Sequence, residues 1–309
     1  MTDAWTDLLG TAPVVVDGGL STQLAVLGED MSGILWTGRV LLDNPDAVQR
    51  AHADFVAAGA GVVITASYQV SRWGFEHAGM TGDDADAALR ASTLAARAAV
   101  AGVPGSAAKV AASVGPYGAI LHDGSEYRGR YGRTHRELVD FHRERLDVLA
   151  ATGPDLLAIE TIPDVDEAAA LVEALADHPD LPAWMSFSAM DDARTCAGQR
   201  IEEAVAVASS SPSVMAVGIN CTDPRHVRAL VLRMRAASAM PIVVYPNAGG
   251  EWDASDGLWH GTAADGGAAF PDQVVRSWID AGATAVGGCC GTNARSISRV
   301  ADVLAASAG

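Results

Sequence analysis

The chain has 309 residues, with 38 acidic against 21 basic side chains and a formal charge of -17. Hydrophobic residues make up 49% and charged ones 19%, which excludes a disordered chain and provides for a sizeable core. The acidic balance argues against nucleic acid and an anionic membrane surface as partners, since both call for Lys/Arg patches, and names no partner itself, because surplus acid most often serves solubility.

The segment Met1-Thr2-Asp3-Ala4-Trp5-Thr6-Asp7 carries acid where a secretion signal needs a basic start. No uncharged run of about 18 apolar residues occurs, so no membrane span is expected. Four cysteines are too few for a disulfide-built scaffold. These features together point to the reducing cytoplasm, where cysteine spacing speaks of metal or catalysis before disulfides.

In chain order, eight apolar runs bounded by Gly, Pro or Asp read as short strands buried on both faces. They are Pro13–Asp17, Gly61–Thr65, Lys109–Val114, Asp155–Glu160, Pro182–Phe187, Ser213–Ile219, Pro241–Tyr245 and Ala283–Gly287. Ala-rich segments with helical period lie between them. Val227, Leu230, Val231 and Met234 make one apolar stripe, on a helix that Asp223-Pro224 opens as N-cap and first turn. Asp164 and Glu167 read as a capping pair for a helix over Val165–Ala176. Strand then helix, eight times over with no linker, predicts one (β/α)8 barrel domain over residues 1–309; a doubly wound open sheet is the rival.

A barrel keeps its chemistry at the C-terminal strand ends. Here those ends read Asp17-Gly18-Gly19, Glu160-Thr161, Gly218-Ile219-Asn220-Cys221, Tyr245-Pro246-Asn247 and Gly287-Gly288-Cys289-Cys290-Gly291. Two connections are too long to be plain loops. One follows strand three, with Tyr117, Tyr127 and Tyr131; the other follows strand seven, with Trp252 and Trp259. These aromatics could face a cationic ligand.

At this cysteine frequency about 0.05 adjacent pairs are expected by chance, which makes Cys289-Cys290 a signal. Neighbouring strand residues point to opposite faces, so both sulfurs reach one point only where Gly287, Gly288 and Gly291 let the backbone leave strand geometry. With Cys221 they make a three-thiolate Zn2+ site with one position open, the catalytic pattern. Two buried small hydrophobes, or a redox pair, are the other readings. Cys196 falls in a polar loop and reads as a bystander. His52, His135, His142 and His226 show no ligand spacing and read as packed or solvated. No P-loop, nucleophile elbow or full G-x-G-x-x-G occurs.

Three thiolates leave zinc with a formal charge of -1, a poor Lewis acid for carbonyls but a good partner for a thiol, which it deprotonates. The acceptor is therefore expected to be a small thiol. Asp17 and Glu160 could hold an amino group, and the Gly18 and Gly19 amides a carboxylate, which together suit an amino-acid thiol.

Several stretches resemble the zinc-dependent homocysteine S-methyltransferases over nearly the whole chain. They are Asp17-Gly18-Gly19-Leu20-Ser21-Thr22-Gln23-Leu24, Ile64-Thr65-Ala66-Ser67-Tyr68-Gln69, Ser113-Val114-Gly115-Pro116-Tyr117-Gly118-Ala119 and Asp123-Gly124-Ser125-Glu126-Tyr127. Glu160-Thr161-Ile162-Pro163, Gly218 to Cys221, Tyr245 to Asn247 and the Gly-Gly-Cys-Cys segment complete them. The resemblance implies zinc on Cys221, Cys289 and Cys290, homocysteine as acceptor with Asp17 and Glu160 near its amine, and methionine as product. Thr65, Tyr117 and Asn220, which lie in matching stretches, are further candidates for substrate contact. It is nearest the stand-alone type that uses S-methylmethionine, with S-adenosylmethionine as a poorer donor.

Two departures concern the donor. Gly291 stands where that type commonly has Arg, and Leu35-Trp36-Thr37-Gly38 replaces Leu-Trp-Ser-Ala. Against a betaine donor, the chain runs only 19 residues past Cys290, without the C-terminal extension of those relatives. A non-catalytic thiolate protein, storing zinc or sensing redox state through a Cys289–Cys290 pair, is the reading from another class.

Overall fold

A computed structural model describes residues 4–31, 35–249, 251–253, 258–260 and 269–307. In chain order the strands are β1 (Val14–Val15), β2 (Val62–Ile64), β3 (Lys109–Val114), β4 (Leu156–Ile162), β5 (Ala183–Phe187), β6 (Val214–Asn220) and β7 (Ile242–Tyr245). A short antiparallel hairpin, β8 (Glu251–Asp253) and β9 (Leu258–His260), precedes β10 (Ala285–Val286).

Leaving out the hairpin, the strands form one eight-stranded parallel sheet in the order β1-β10-β7-β6-β5-β4-β3-β2. A parallel bridge from Val16 to Val62 joins its two edges. The protein is thus a (β/α)8 barrel, and each of the eight expected segments overlaps one barrel strand. Closure disposes of the open-sheet rival.

The continuous apolar runs have their cause in two cores. Along β4, Leu156 and Ala158 face the barrel interior with Val62, Ala111, Trp184 and Ala216. Leu157 and Ile159 face the surrounding helices with Val217, Ile219 and Leu171. Both faces are buried, so no polar alternation shows in the sequence. Trp5, on the N-terminal helix Ala4–Leu9, packs into the interior cluster and closes the bottom of the barrel.

The helix Pro224–Ala237 starts as expected, with the Asp223 carboxylate accepting from the Arg225 amide at 2.9 Å and the predicted stripe fully buried. The helix Val165–Leu175 keeps Asp164 as its cap, the side chain accepting from the Asp166 amide at 3.0 Å. Glu167, however, does not turn back to the cap. It reaches inward and accepts from the Tyr117 amide at 2.5 Å, the Tyr131 hydroxyl at 2.9 Å and the His142 ring at 2.9 Å. A buried carboxylate with three donors outcompetes a surface capping bond.

Candidate active site and metal centre

The site begins where two strands end. Cys221 follows β6 with φ of 44°, the left-handed region that a non-glycine residue seldom occupies. This turn swings its side chain over the barrel mouth. At the end of β10, Gly287 passes so close to β1 that a Cβ would sit 2.6 Å from the Val16 carbonyl oxygen. Only glycine fits there.

Beyond it the cysteine loop is held from three sides. The Cys289 amide donates to the Pro246 carbonyl at 2.7 Å, and the Ala248 amide to the Cys290 carbonyl at 2.8 Å. Thr22 accepts the Gly291 amide at 3.0 Å, and Gln23 the Ala294 amide at 3.0 Å. The Thr-Gln and Tyr-Pro-Asn stretches therefore brace the cysteines.

The ligand atoms of Cys221, Cys289 and Cys290 all lie within 4.8 Å of one another. Cys290 Sγ is 3.9 Å from that of Cys221 and 4.0 Å from that of Cys289. Ligands about 2.3 Å from a tetrahedral zinc sit about 3.8 Å apart, so two edges already have the needed span. On the third edge Cys221 and Cys289 are joined as a disulfide, their Cα atoms 5.6 Å apart. Holding a metal on all three sulfurs requires that bond reduced.

The redox-pair expectation named Cys289 with Cys290, and the structure pairs Cys289 with Cys221 instead. Consecutive Cα atoms are fixed about 3.8 Å apart, shorter than disulfides ordinarily span, whereas strands β6 and β10 present theirs at a suitable distance. The donor set itself, three soft thiols with room for a fourth ligand, fits zinc.

Beside the sulfurs stand two buried carboxyls. Asp17 accepts from the Ile64 amide at 2.7 Å through one oxygen, while its other oxygen is buried without a partner. Burial raises its pKa well above the usual carboxylate range, and the nearby Glu160 raises it further. Burial likewise pushes Glu160 up to about 7, although the Ser113 and Tyr245 hydroxyls bond to it and oppose the shift. Both groups are costly as they stand and would be relieved by a cation. The Cys290 thiol is pushed up to about 11, by burial first and then by Glu126.

Glu160 is aimed by its neighbour. Thr161 has φ of 60°, and the β4–β5 register shifts between Ile159 and Ile162. Asn220 pins this irregularity: its Oδ1 accepts from the Thr161 amide at 2.7 Å, and its amide donates to Thr161 Oγ1 at 2.7 Å. Asn220 also accepts from Ser186, which bonds to the Tyr245 hydroxyl at 2.6 Å. The network fixes the bulge that turns Glu160 toward the mouth.

These groups surround one cavity of about 370 Å3. Of the residues expected to act, Asp17, Gly18, Gly19, Thr65, Glu160, Cys221, Cys289 and Cys290 line it. The Gly19 amide, however, donates to the carbonyl and hydroxyl of Thr292, both at 3.0 Å, which withdraws it from the carboxylate-binding role. Asn220 stands behind the wall as a positioning residue. Tyr117 does not join the site; it packs with Ile120, Leu138 and Val139, its backbone tied to Glu167. Tyr131 lies beside it, the ring centroids 5.5 Å apart. Of the three loop tyrosines only Tyr127 lines the cavity. The side chains of Trp252 and Trp259 lie outside the described residues.

Cys196 is apart from the cluster, its thiol pushed up to about 11 by burial. His52 is fully buried, and burial lowers its pKa to about 4. His142 is bonded to Glu167, and His135 and His226 pair with surface acids.

Sequence reasoning missed Trp36, Tyr68, Glu126 and Thr161 as cavity walls. All four lie in motif stretches, but nothing in their spacing separates wall from scaffold. Among the described residues no helix is long and apolar enough to cross a membrane.

The homocysteine S-methyltransferase family model matches residues 14–304. The chain belongs to the homocysteine S-methyltransferase family. Homocysteine S-methyltransferase 4 of Zea mays is 42% identical over 302 residues, covering 93% of this chain and 88% of that protein. Homocysteine S-methyltransferase 3 of Arabidopsis thaliana is 40% identical, covering 94% and 89%. The metallated form of the Escherichia coli homocysteine methyltransferase MmuM superposes with a TM-score of 0.85 at 34% identity, covering 96% of this chain and 99% of that one. Family, barrel and cavity agree, and the protein is a methyltransferase.

Proposed function

We propose that the protein transfers a methyl group from a sulfonium donor, S-methylmethionine foremost, to the sulfur of L-homocysteine, with zinc on Cys221, Cys289 and Cys290. The observation that carries this reading is the gathering of three cysteine sulfurs and two buried carboxyls around one cavity. Zinc there would supply the acceptor sulfur as thiolate at neutral pH, where a free thiol, with a pKa of about 8.5, is mostly protonated. Asp17 and Glu160 bind the acceptor's ammonium, which fixes its sulfur toward the cysteines. Tyr245 and Ser113 hold Glu160 in place, and the apolar wall keeps water from the reacting atoms. The sulfonium C–S bond breaks as the new C–S bond forms, which leaves two thioethers and releases the acceptor thiol proton. Positioning two reactants in line supplies much of the acceleration.

The thiols must stay reduced, which supports a reducing compartment such as the cytoplasm. Methionine formation from homocysteine with S-methylmethionine, S-adenosylmethionine, betaine or methyl-tetrahydrofolate tests the proposal. The expected result is turnover with S-methylmethionine and less with S-adenosylmethionine. Turnover with betaine alone, or zinc binding without methionine, overturns it.

A further inference from the structure

Asp17 and Glu160 are assigned above to the acceptor's ammonium, yet the cavity holds a third acid. Glu126 lies on the one-turn helix Ser125–Tyr127 in the connection after β3 and is only 3% exposed. Its Oε2 is buried without a hydrogen-bond partner and it lines the cavity wall. The cation closest in sequence is committed elsewhere: the Arg128 guanidinium bonds to the Asp123 carbonyl at 2.9 Å and to Ser125 Oγ at 3.0 Å.

The placement is not an accident of a loose loop. Gly118, on a second one-turn helix Tyr117–Ile120, is packed so tightly that a Cβ on it would meet the Glu126 backbone nitrogen at 2.5 Å, so the two short helices of this connection lock together. Glu126 lines the same cavity as Tyr68, Tyr127, Cys289 and Cys290.

An ionised carboxylate in such a place needs a cation. The acceptor's ammonium already has two. The donor's positive charge must lie on the sulfur that faces the acceptor sulfur, because the transferred methyl lies between the two, and so in the cavity that the cysteines and Glu126 share. We infer that Glu126 is the donor-recognition residue, its carboxylate pairing with the sulfonium charge of the incoming methyl donor. Tyr68, Tyr127 and Trp36 line the same cavity and supply aromatic rings suited to the sulfonium methyls. Burial holds the free Glu126 carboxyl up at about 7, and a bound sulfonium relieves that cost. The inference rests on the methyl-transfer reading and adds which residue selects a cationic donor.

The test is the Glu126→Gln holoenzyme, with zinc content and homocysteine affinity measured first. Binding of S-methylmethionine is then compared with that of its carbon isostere, in which an uncharged CH replaces the sulfonium sulfur. Glu126→Gln should weaken S-methylmethionine about 10- to 100-fold, as expected for losing a charged partner, and leave the isostere, homocysteine and zinc unchanged. Glu126→Asp should recover part of the loss. An equal loss for both ligands, no loss for either, or a change in homocysteine affinity overturns the assignment. Failure of the wild-type enzyme to turn over either S-methylmethionine or S-adenosylmethionine sinks the sulfonium-donor reading instead. The comparison of binding still reads Glu126 on its own.

Discussion

Two cavities lie at opposite ends of the barrel, and the larger one is chemically the plainer. The cavity at the N-terminal strand ends, about 460 Å3, is lined by Leu8, Leu9, Val14, Val56 and loop glycines, with Lys109 its one titratable group among the described residues. The cavity at the mouth, about 370 Å3, holds Asp17, Glu126, Glu160 and three cysteines. Volume does not separate them. The mouth retains charges and strained backbone that cost stability, at Asp17, Glu160, Thr161 and Cys221, and the surrounding network holds them there. Among the described residues the cavity at the bottom retains nothing of the kind.

The comparison breaks if changes at the two ends have similar effects. Cys289→Ser should cause the largest change: it should lose zinc, by metal analysis, and lower turnover by more than the roughly 100-fold of an outer-shell change. An active, zinc-free variant would falsify the role of the cysteines. Asp17→Asn should weaken homocysteine about 10- to 100-fold with zinc retained, as seen by calorimetry. Unchanged affinity removes Asp17 from the site.

Binding of methionine, which has no thiol to titrate, should tighten about tenfold between pH 6 and 8 as Glu160 ionises around 7, and Glu160→Gln should flatten the profile. The same raised value means the ligand-free fold holds this proton more tightly than the unfolded chain. Its stability contribution is therefore lost as pH rises from the ordinary carboxyl range to about 7.

Asn220→Ala should cost about 2–4 kcal/mol in denaturant unfolding, because Thr161 and Ser186 lose a shared buried partner. At the other end, Lys109→Met should leave turnover within about twofold and stability within about 0.5 kcal/mol. A large loss there would show that the two ends are coupled.

Much of the barrel was legible because a strand buried on both faces leaves a continuous apolar run, as at Leu156–Ile162. The hairpin after β7 and the short helices Leu20–Val26 and Trp36–Asp43 between β1 and β2 left no such mark. Each is too short for a period to accumulate. The clustered cysteines were legible because two of them are adjacent and flanked by glycine. Tyr117 and Glu126 show the limit. An aromatic in a long loop looks like a ligand contact, and a Gly-Ser-Glu turn looks solvated. Glu167 and Gly118 reverse both appearances, by drawing Tyr117 into the scaffold and pressing Glu126 into the cavity.

By itself the amino-acid sequence determined the eight barrel strands, the barrel and the three cysteines that gather at its mouth, all of which depend on local periodicity and composition. The tertiary structure alone decided which carboxyls lack partners, that Cys221 rather than Cys290 lies within bonding reach of Cys289, and that Asn220 acts through Thr161. These are contacts between strand ends tens of residues apart. Closure of the barrel creates them, and no local pattern encodes them.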